Sequence, residues 1–256
     1  MAAPPSKFQS ELPDNRSDLT ESYYYLSANQ KDKILRRSED FRGDSEILKQ
    51  YAPFLPGWVP WRDIAKAMGF DESGIEQAEE RFDGPAVWGT EFENVHVFWD
   101  FEEPGFTLEN GDEFSGSEQL YQLQKAGAIN SGGYHELKQH FVKPCTAGDA
   151  FSRGGRGGVV SDYYDGSNWG EGVAEGGRRD EAMKVALKHK FRNDSLEALL
   201  MSTKSHRLVS IKGDSYWGFA PKRSLSGSAR SVGNLSVNKL ATLLEERRAE
   251  LLAGNI

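Results

Sequence analysis

The sequence predicts an α+β fold, rich in helix: one main domain with small β elements, preceded by a helical N-terminal extension. Apolar residues recur at helical spacing in several separate segments, most clearly Leu240, Leu243, Leu244 and Leu251. Strand-like runs are short and few, as in 95–99 and 207–211. Asn110-Gly111 falls between two short apolar runs within 106–114, the pattern of a tight hairpin reversal.

A chain of 256 residues can bury one sizeable core plus an appendage. We divide it into a mobile tail at 1–21, a helical extension at 22–88 and a main domain at 89–253 with a glycine-rich insertion at 153–177. A net charge of -8 argues against unspecific wrapping of nucleic acid, though a local basic groove is compatible with it. Cys145 is the sole cysteine, so an intrachain disulfide and a zinc-finger array are both excluded. The first residues lack the apolar run of a signal peptide, and no apolar run approaches the roughly 20 residues of a membrane span. The expectation is a soluble intracellular protein, cytoplasmic or nuclear, with no membrane partner.

Residues 1–21 are polar and Pro-rich, hence the tail. Segments 31–41 and 45–51 read as short helices divided by Gly43-Asp44, with Ile34, Leu35, Ile47 and Leu48 as buried candidates. The prolines of 53–61 forbid a continuous helix and predict a rigid, aromatic-rich loop. Segments 61–68 and 71–82 then carry Ile64, Ala65, Met68 and Ile75, Ala78, Phe82 at helical spacing. This helical pair either covers the main domain or binds a partner. After the hairpin, a helix is expected from Ser117 as N-cap through Lys125, placing Glu118 and Lys125 on one face about 10 Å apart along the axis. A further short helix is read at 134–141.

The insertion, from Arg153 to Gly177 with Tyr163, Tyr164 and Trp169 interleaved, is too glycine-rich for a regular core element. It is either a flexible cover over the site or an Arg-Gly segment that stacks on bases. Residues 180–193 predict a helix whose Lys184, Lys188 and Arg192 form a basic stripe, facing either solvent or a phosphate. Ser195 is read as the cap of a helix at 196–201, and Ser236 as the cap of the last amphipathic helix.

The stretch Ser117-Glu118-Gln119-Leu120-Tyr121-Gln122-Leu123-Gln124-Lys125 resembles the NADAR family, which includes N-glycosidases of riboflavin-biosynthesis intermediates and glycohydrolases that remove ADP-ribose from guanine. Met183-Lys184-Val185-Ala186-Leu187-Lys188-His189-Lys190-Phe191, then Leu208-Val209 with Asp214-Ser215-Tyr216-Trp217-Gly218, then Asn238-Lys239-Leu240-Ala241 continue the resemblance in order over the last two thirds of the chain. It implies a catalytic domain that hydrolyses an N-glycosidic bond, with Glu118, Asp214 and Lys125 as working residues. It further implies substrate contacts by Ser117, Gln122, Trp169, Arg179, Lys184, Tyr216, Trp217, Gly218 and Asn238. The chain departs from the family pattern in lacking a Ser-Asn-aromatic segment before the hairpin. It also carries Gln119 in place of a histidine and Ala241 in place of a glycine.

The chemistry fits such residues. Breaking a C1–N bond requires stabilising an oxocarbenium-like carbon and protonating the departing base, and carboxylates do both. Glu118 and Asp214 are the candidates. Lys125 offers either a Schiff-base route through attack on C1 or a charge partner for Glu118 or a phosphate. Trp217 can stack on a base or fill a core, and Gly218 permits close backbone approach. No His/Cys cluster at ligand spacing, P-loop or dinucleotide fingerprint occurs, so we expect no metal and no cofactor. The expected substrate is ADP-ribosylated guanine in nucleic acid, with phosphoribosylamino-pyrimidines second. A noncatalytic ADP-ribose-binding module, or a partner-binding protein working through 23–88, are rivals of other classes. Oligomeric state is not legible.

Overall fold

The computed structural model describes residues 5–26, 45–67, 71–82, 84–89, 105–164, 169, 177–210, 216–218 and 237–254. Its elements are α+β, as expected. The chain divides into two compact units, Met1–Glu93 with Leu200–Glu245, and Asn94–Leu199 with Glu246–Ile256. The first unit therefore joins the N-terminal extension to part of the segment assigned to the main domain.

In the first unit, β1 (Tyr23–Leu26), β2 (Gly57–Pro60), β3 (Val87–Gly89) and β6 (Leu208–Ser210) form a sheet in the order β2-β1-β3-β6. β1 pairs antiparallel with β2 and parallel with β3, and β3 pairs parallel with β6. The extension is thus not purely helical, since it supplies three of the four strands. The loop predicted at 53–61 contains β2, and Pro60 is tolerated there because β2 lies at the sheet edge. Helices α1 (Ser45–Tyr51), α2 (Trp61–Ala67) and α3 (Glu72–Arg81) follow their predicted positions. Asp71 caps α3 by accepting from Gly74 N at 2.7 Å. Trp61 and Trp88 stack with centroids 4.2 Å apart and planes 1° from parallel, fully buried. Segments 31–41 and 95–99 and Met68 lie outside the described residues.

The expected N-terminal tail is a correction. From residue 5 onward it packs: Leu12 and Leu19 are buried, and Gln9 and Trp58 exchange backbone hydrogen bonds of 3.1 and 2.9 Å. Lys204 Nζ donates to Leu12 O at 2.7 Å and to Asp14 at 2.6 Å. Two buried leucines and tied main chain offset an ordering entropy that composition alone put out of reach.

The second unit is built around α4 (Ser117–Leu123), preceded by the hairpin β4 (Phe106–Thr107) and β5 (Glu113–Phe114). Gly111 takes the left-handed conformation the Asn-Gly reversal requires, φ 84°. α5 (Gly132–Leu137), α6 (Ala147–Gly154) and α7 (Arg178–Lys190) follow; α8 (Asp194–Ser202) begins in this unit and ends in the first, and α9 (Lys239–Leu252) begins in the first and ends in this one. Two boundaries differ from those expected. Arg153 and Gly154 belong to α6 rather than to an irregular insertion, Gly154 is buried and Val160 beyond it is core. The cap of α8 is Asn193, whose Oδ1 accepts from Ser195 N and Leu196 N, rather than Ser195. Ser236 lies outside the described residues.

His189 on α7 yields the first prediction. Its ring stacks on Phe106 at 5.4 Å and its Nδ1 is buried with no hydrogen-bond partner among the described residues. Burial, then Arg192 and Lys188, push its pKa from 6.5 down to about 4. The folded state keeps the ring neutral while the unfolded chain protonates near its ordinary value. The stability it contributes is therefore full above about pH 6.5 and lost as pH falls towards 4, a loss on the order of 2–3 kcal/mol. Denaturant titrations at pH 7.5 and 4.5 should show a smaller acid loss for His189→Phe than for wild type by that amount. An equal loss in both would contradict the assignment.

Candidate functional site

All seven residues of α4 are buried, although four of them, Ser117, Glu118, Gln119 and Gln122, are polar. Such groups are costly to bury unless their hydrogen bonds are satisfied, so the partners of each show what the helix is for. Gln119 Nε2 donates to Cys145 O at 3.0 Å and Gln124 Nε2, just past the helix, to Ala182 O at 3.0 Å. These two amides staple α4 to the loop before α6 and to α7, which is structure rather than chemistry. Gln122 is different. Its Nε2 donates to Glu118 Oε1 at 2.7 Å, one turn back on the same helix.

Glu118 is 6% exposed, and the Gln122 amide is its only hydrogen-bond partner among the described residues. No described cation neutralises it. Ser117 is not the cap expected: Gly116 occupies that position without a side-chain bond, and Ser117 is the first helical residue, buried.

Lys125 corrects the expectation of a shared helix face. α4 ends at Leu123, Gln124 follows as its C-terminal cap, and Gly127 at φ 153° breaks any continuation. A Cβ at Gly127 would meet Ser131 Oγ at 2.1 Å. Lys125 Nζ instead donates to Gly154 O at 2.7 Å and lies 5.9 Å from the centroid of the Tyr164 ring. Gly154 in turn abuts Gln122: a Cβ built on it would stand 2.0 Å from Gln122 Oε1. Glu118, Gln122, Gly154 and Lys125 are thus linked in one chain of contacts across α4 and the end of α6. Trp169, 6% exposed, joins them, with its ring 5.6 Å from Tyr121 and 6.3 Å from Tyr164.

Arg179 is largely buried at the start of α7, its Nε 3.8 Å from Asp180. Its neighbour Arg178, not singled out in the sequence, donates to Gln124 O at 3.0 Å and so binds the carbonyl end of α4. The basic stripe of α7 faces acids. Lys184 lies 3.7 Å from Glu181 and 3.4 Å from Glu246, and Arg192 lies 4.0 Å from Glu109. Burial opposes the charge on Lys184, but Glu246 and Glu181 outweigh it and hold its pKa above the ordinary value. Lys184 and Arg192 thus lie beside carboxylates, as the solvent-facing reading of the stripe expects.

In the other unit, Tyr216, Trp217 and Gly218 form a turn whose Tyr216 and Trp217 carbonyls accept from Lys239 N and Leu240 N, both at 3.0 Å. They satisfy the first amides of α9. The Tyr216 and Trp217 rings meet edge to face at 4.9 Å, and Trp217 is buried. Asn238, at φ 53°, accepts from Ser210 N at 3.0 Å and donates to Leu208 O at 3.2 Å. Its amide substitutes for a neighbouring strand at β6, so both ends of the side chain serve the fold rather than a ligand. Asp214 lies outside the described residues.

A cleft of about 460 Å³ in the first unit is lined by Glu21, Glu79, Glu80 and Arg62 among others, and by none of the candidate residues. With carboxylates outnumbering its single arginine, it is unsuited to phosphate. Among the described residues no group of His, Cys, Asp and Glu could hold a metal, and no helix is long and apolar enough to cross a membrane.

Gly154 and Tyr121 were not singled out in the sequence, and Tyr164 was named only as part of the insertion. Tyr121 was legible, since it lies one turn from Glu118. Gly154 lies in a helix whose start Thr146 and Asp149 mark, but nothing marks its contact with Gln122, and Tyr164 follows a glycine-rich run with no period.

No protein-family model matches the chain, and no curated protein matches it. Among solved structures it is similar to the NMR structure of the E. coli protein YbiA, at 20% identity over 64% of this chain and 79% of that one, with a TM-score of 0.41.

Proposed function

We propose that the chain is an N-glycosidase, a hydrolase breaking the bond between a ribosyl anomeric carbon and a base nitrogen, with ADP-ribose on guanine of nucleic acid as substrate. The observation that carries the reading is Glu118: a carboxylate on a buried helix, held by one neutral amide at 2.7 Å and by no described cation. Burying such a charge costs stability unless it is paired, so its retention on α4 supports a chemical role. In the reaction the C1–N bond breaks, the base nitrogen takes a proton, and water adds hydroxide to C1. Glu118 is the carboxylate that stabilises positive charge at C1. Asp214, which the resemblance gives as the second acidic candidate, lies outside the described residues.

Lys125 serves as a fixed cation rather than a nucleophile. Its ammonium donates to a carbonyl at the C-terminal end of α6, where the helix dipole favours positive charge, and stands over an aromatic face. Both contacts hold the side chain in place, and attack on C1 would require its release from them. Borohydride added during turnover should therefore leave Lys125 unmodified, as read by peptide mass spectrometry; a reduced ribosyl adduct there would restore the Schiff-base route.

A second substrate is favoured by the acids that face Lys184 and Arg192. With two of that stripe's three cations beside carboxylates, the positive charge offered to a nucleic-acid backbone is reduced, which favours a small phosphoribosylamino-pyrimidine. The test offers ADP-ribosylated guanine oligonucleotide and a phosphoribosylamino-pyrimidine side by side and follows free base by chromatography. Release from either supports the hydrolase and chooses the substrate. Saturable binding without release from either would favour the noncatalytic module.

A further inference from the structure

We infer that Gly154 positions both functional side chains, orienting Glu118 through Gln122 and holding Lys125 through its own carbonyl. The inference rests on the assignment of Glu118 and Lys125 to the site. At the end of α6, Gly154 meets α4 so closely that an added Cβ would stand 2.0 Å from Gln122 Oε1, 2.5 Å from its Cδ and 2.8 Å from its Cβ. The first two atoms could swing away with the side chain. The third cannot, because a Cβ is fixed by the helix backbone. A methyl at 154 therefore forces α4 and α6 apart as well as turning the Gln122 amide.

Both consequences reach the site. Gln122 Nε2 is the one hydrogen-bond donor to Glu118 among the described residues, at 2.7 Å, and Gln122 Oε1 has no partner of its own to hold it in an alternative place. Gly154 O is the acceptor of Lys125 Nζ at 2.7 Å. A single backbone position thus sets the direction of a carboxylate from one side and the location of an ammonium from the other. Neighbouring Gly155 carries no such constraint: a Cβ there meets only Phe151 O at 3.3 Å and Ser152 O at 3.5 Å.

The experiment compares wild type, Gly154→Ala, Gly155→Ala and the swap Gly154→Ala with Gln122→Gly, which restores room for the methyl. Trace acetylation with acetic anhydride, read lysine by lysine in the mass spectrometer, reports how tightly Lys125 is held without any substrate. Gly154→Ala should raise Lys125 labelling severalfold with other lysines unchanged, Gly155→Ala should not, and the swap should return it to the wild-type level. On whichever of the two candidate substrates the wild type cleaves, Gly154→Ala should lower kcat roughly 100-fold with little change in KM, the scale of a small misplacement of reacting groups. The swap should not recover kcat, since the Gln122 amide is gone. Unchanged Lys125 labelling in Gly154→Ala, or full kcat in a variant with altered labelling, would overturn the inference. If Gly154→Ala does not fold, the swap carries the test: full kcat without the Gln122 amide would overturn it. Absence of turnover by the wild type would count against the N-glycosidase reading, and the labelling pattern would still decide the role of Gly154.

Discussion

Glu118→Gln is expected to slow base release by roughly a thousandfold, with KM changing far less, the usual scale for removing one group that stabilises transition-state charge. The substitution keeps the shape of the side chain and leaves an oxygen to accept from Gln122 Nε2, so the helix need not move. What disappears is the negative charge. Because that charge is 6% exposed and faces one neutral amide, losing it should not destabilise the fold. We expect the variant to be as stable as wild type or more so, by about 1 kcal/mol. A purely structural Glu118 would give the opposite pair of results, with full activity and a lowered unfolding free energy. Steady-state kinetics and denaturant titration on the same preparation separate the two.

Asp112→Ala is expected to cost about 3 kcal/mol of unfolding free energy, the largest stability effect we anticipate in the second unit. Asp112 accepts from the Tyr134 hydroxyl at 2.8 Å, from Lys138 Nζ at 2.6 Å and from Asn110 Nδ2 at 2.8 Å. Tyr134 is completely buried, so truncating Asp112 leaves its O–H without the carboxylate it donates to. Burial works against ionisation of Asp112, but the bonds from Lys138, Tyr134 and Asn110 outweigh it and hold its carboxyl below the ordinary range. Lys138 is about one third exposed, so its ion pair is discounted for solvent screening and most of the cost falls on the hydroxyl. Urea titration checks the figure. A change under about 1 kcal/mol would mean that water replaces the carboxylate without penalty.

The hairpin was legible because Asn110-Gly111 dictates its own geometry. α3 was legible because Asp71, Ile75 and Ala78 supply a cap and a period. β2 was hidden by Pro56 and Pro60, which argue against a strand except at a sheet edge, and edge position is a property of the tertiary fold. Leu12 and Leu19 were hidden in the same way, since nothing local in a polar segment announces a distant cover. At the site, Glu118 and Gln122 were legible from the motif and from their spacing of one helical turn. The role of Lys125 was not. Its link to Glu118 runs through Gly154, whose only signal is the absence of a side chain at a place where two helices meet.

The most direct measurement is hydrolysis in 18O-labelled water with prompt quenching and mass spectrometry of both products. Cleavage of the N-glycosidic bond predicts the label on the anomeric hydroxyl of the ribosyl product and none on the released base. Label on a phosphate or on the base, or a substrate recovered intact after saturable binding, would contradict the account.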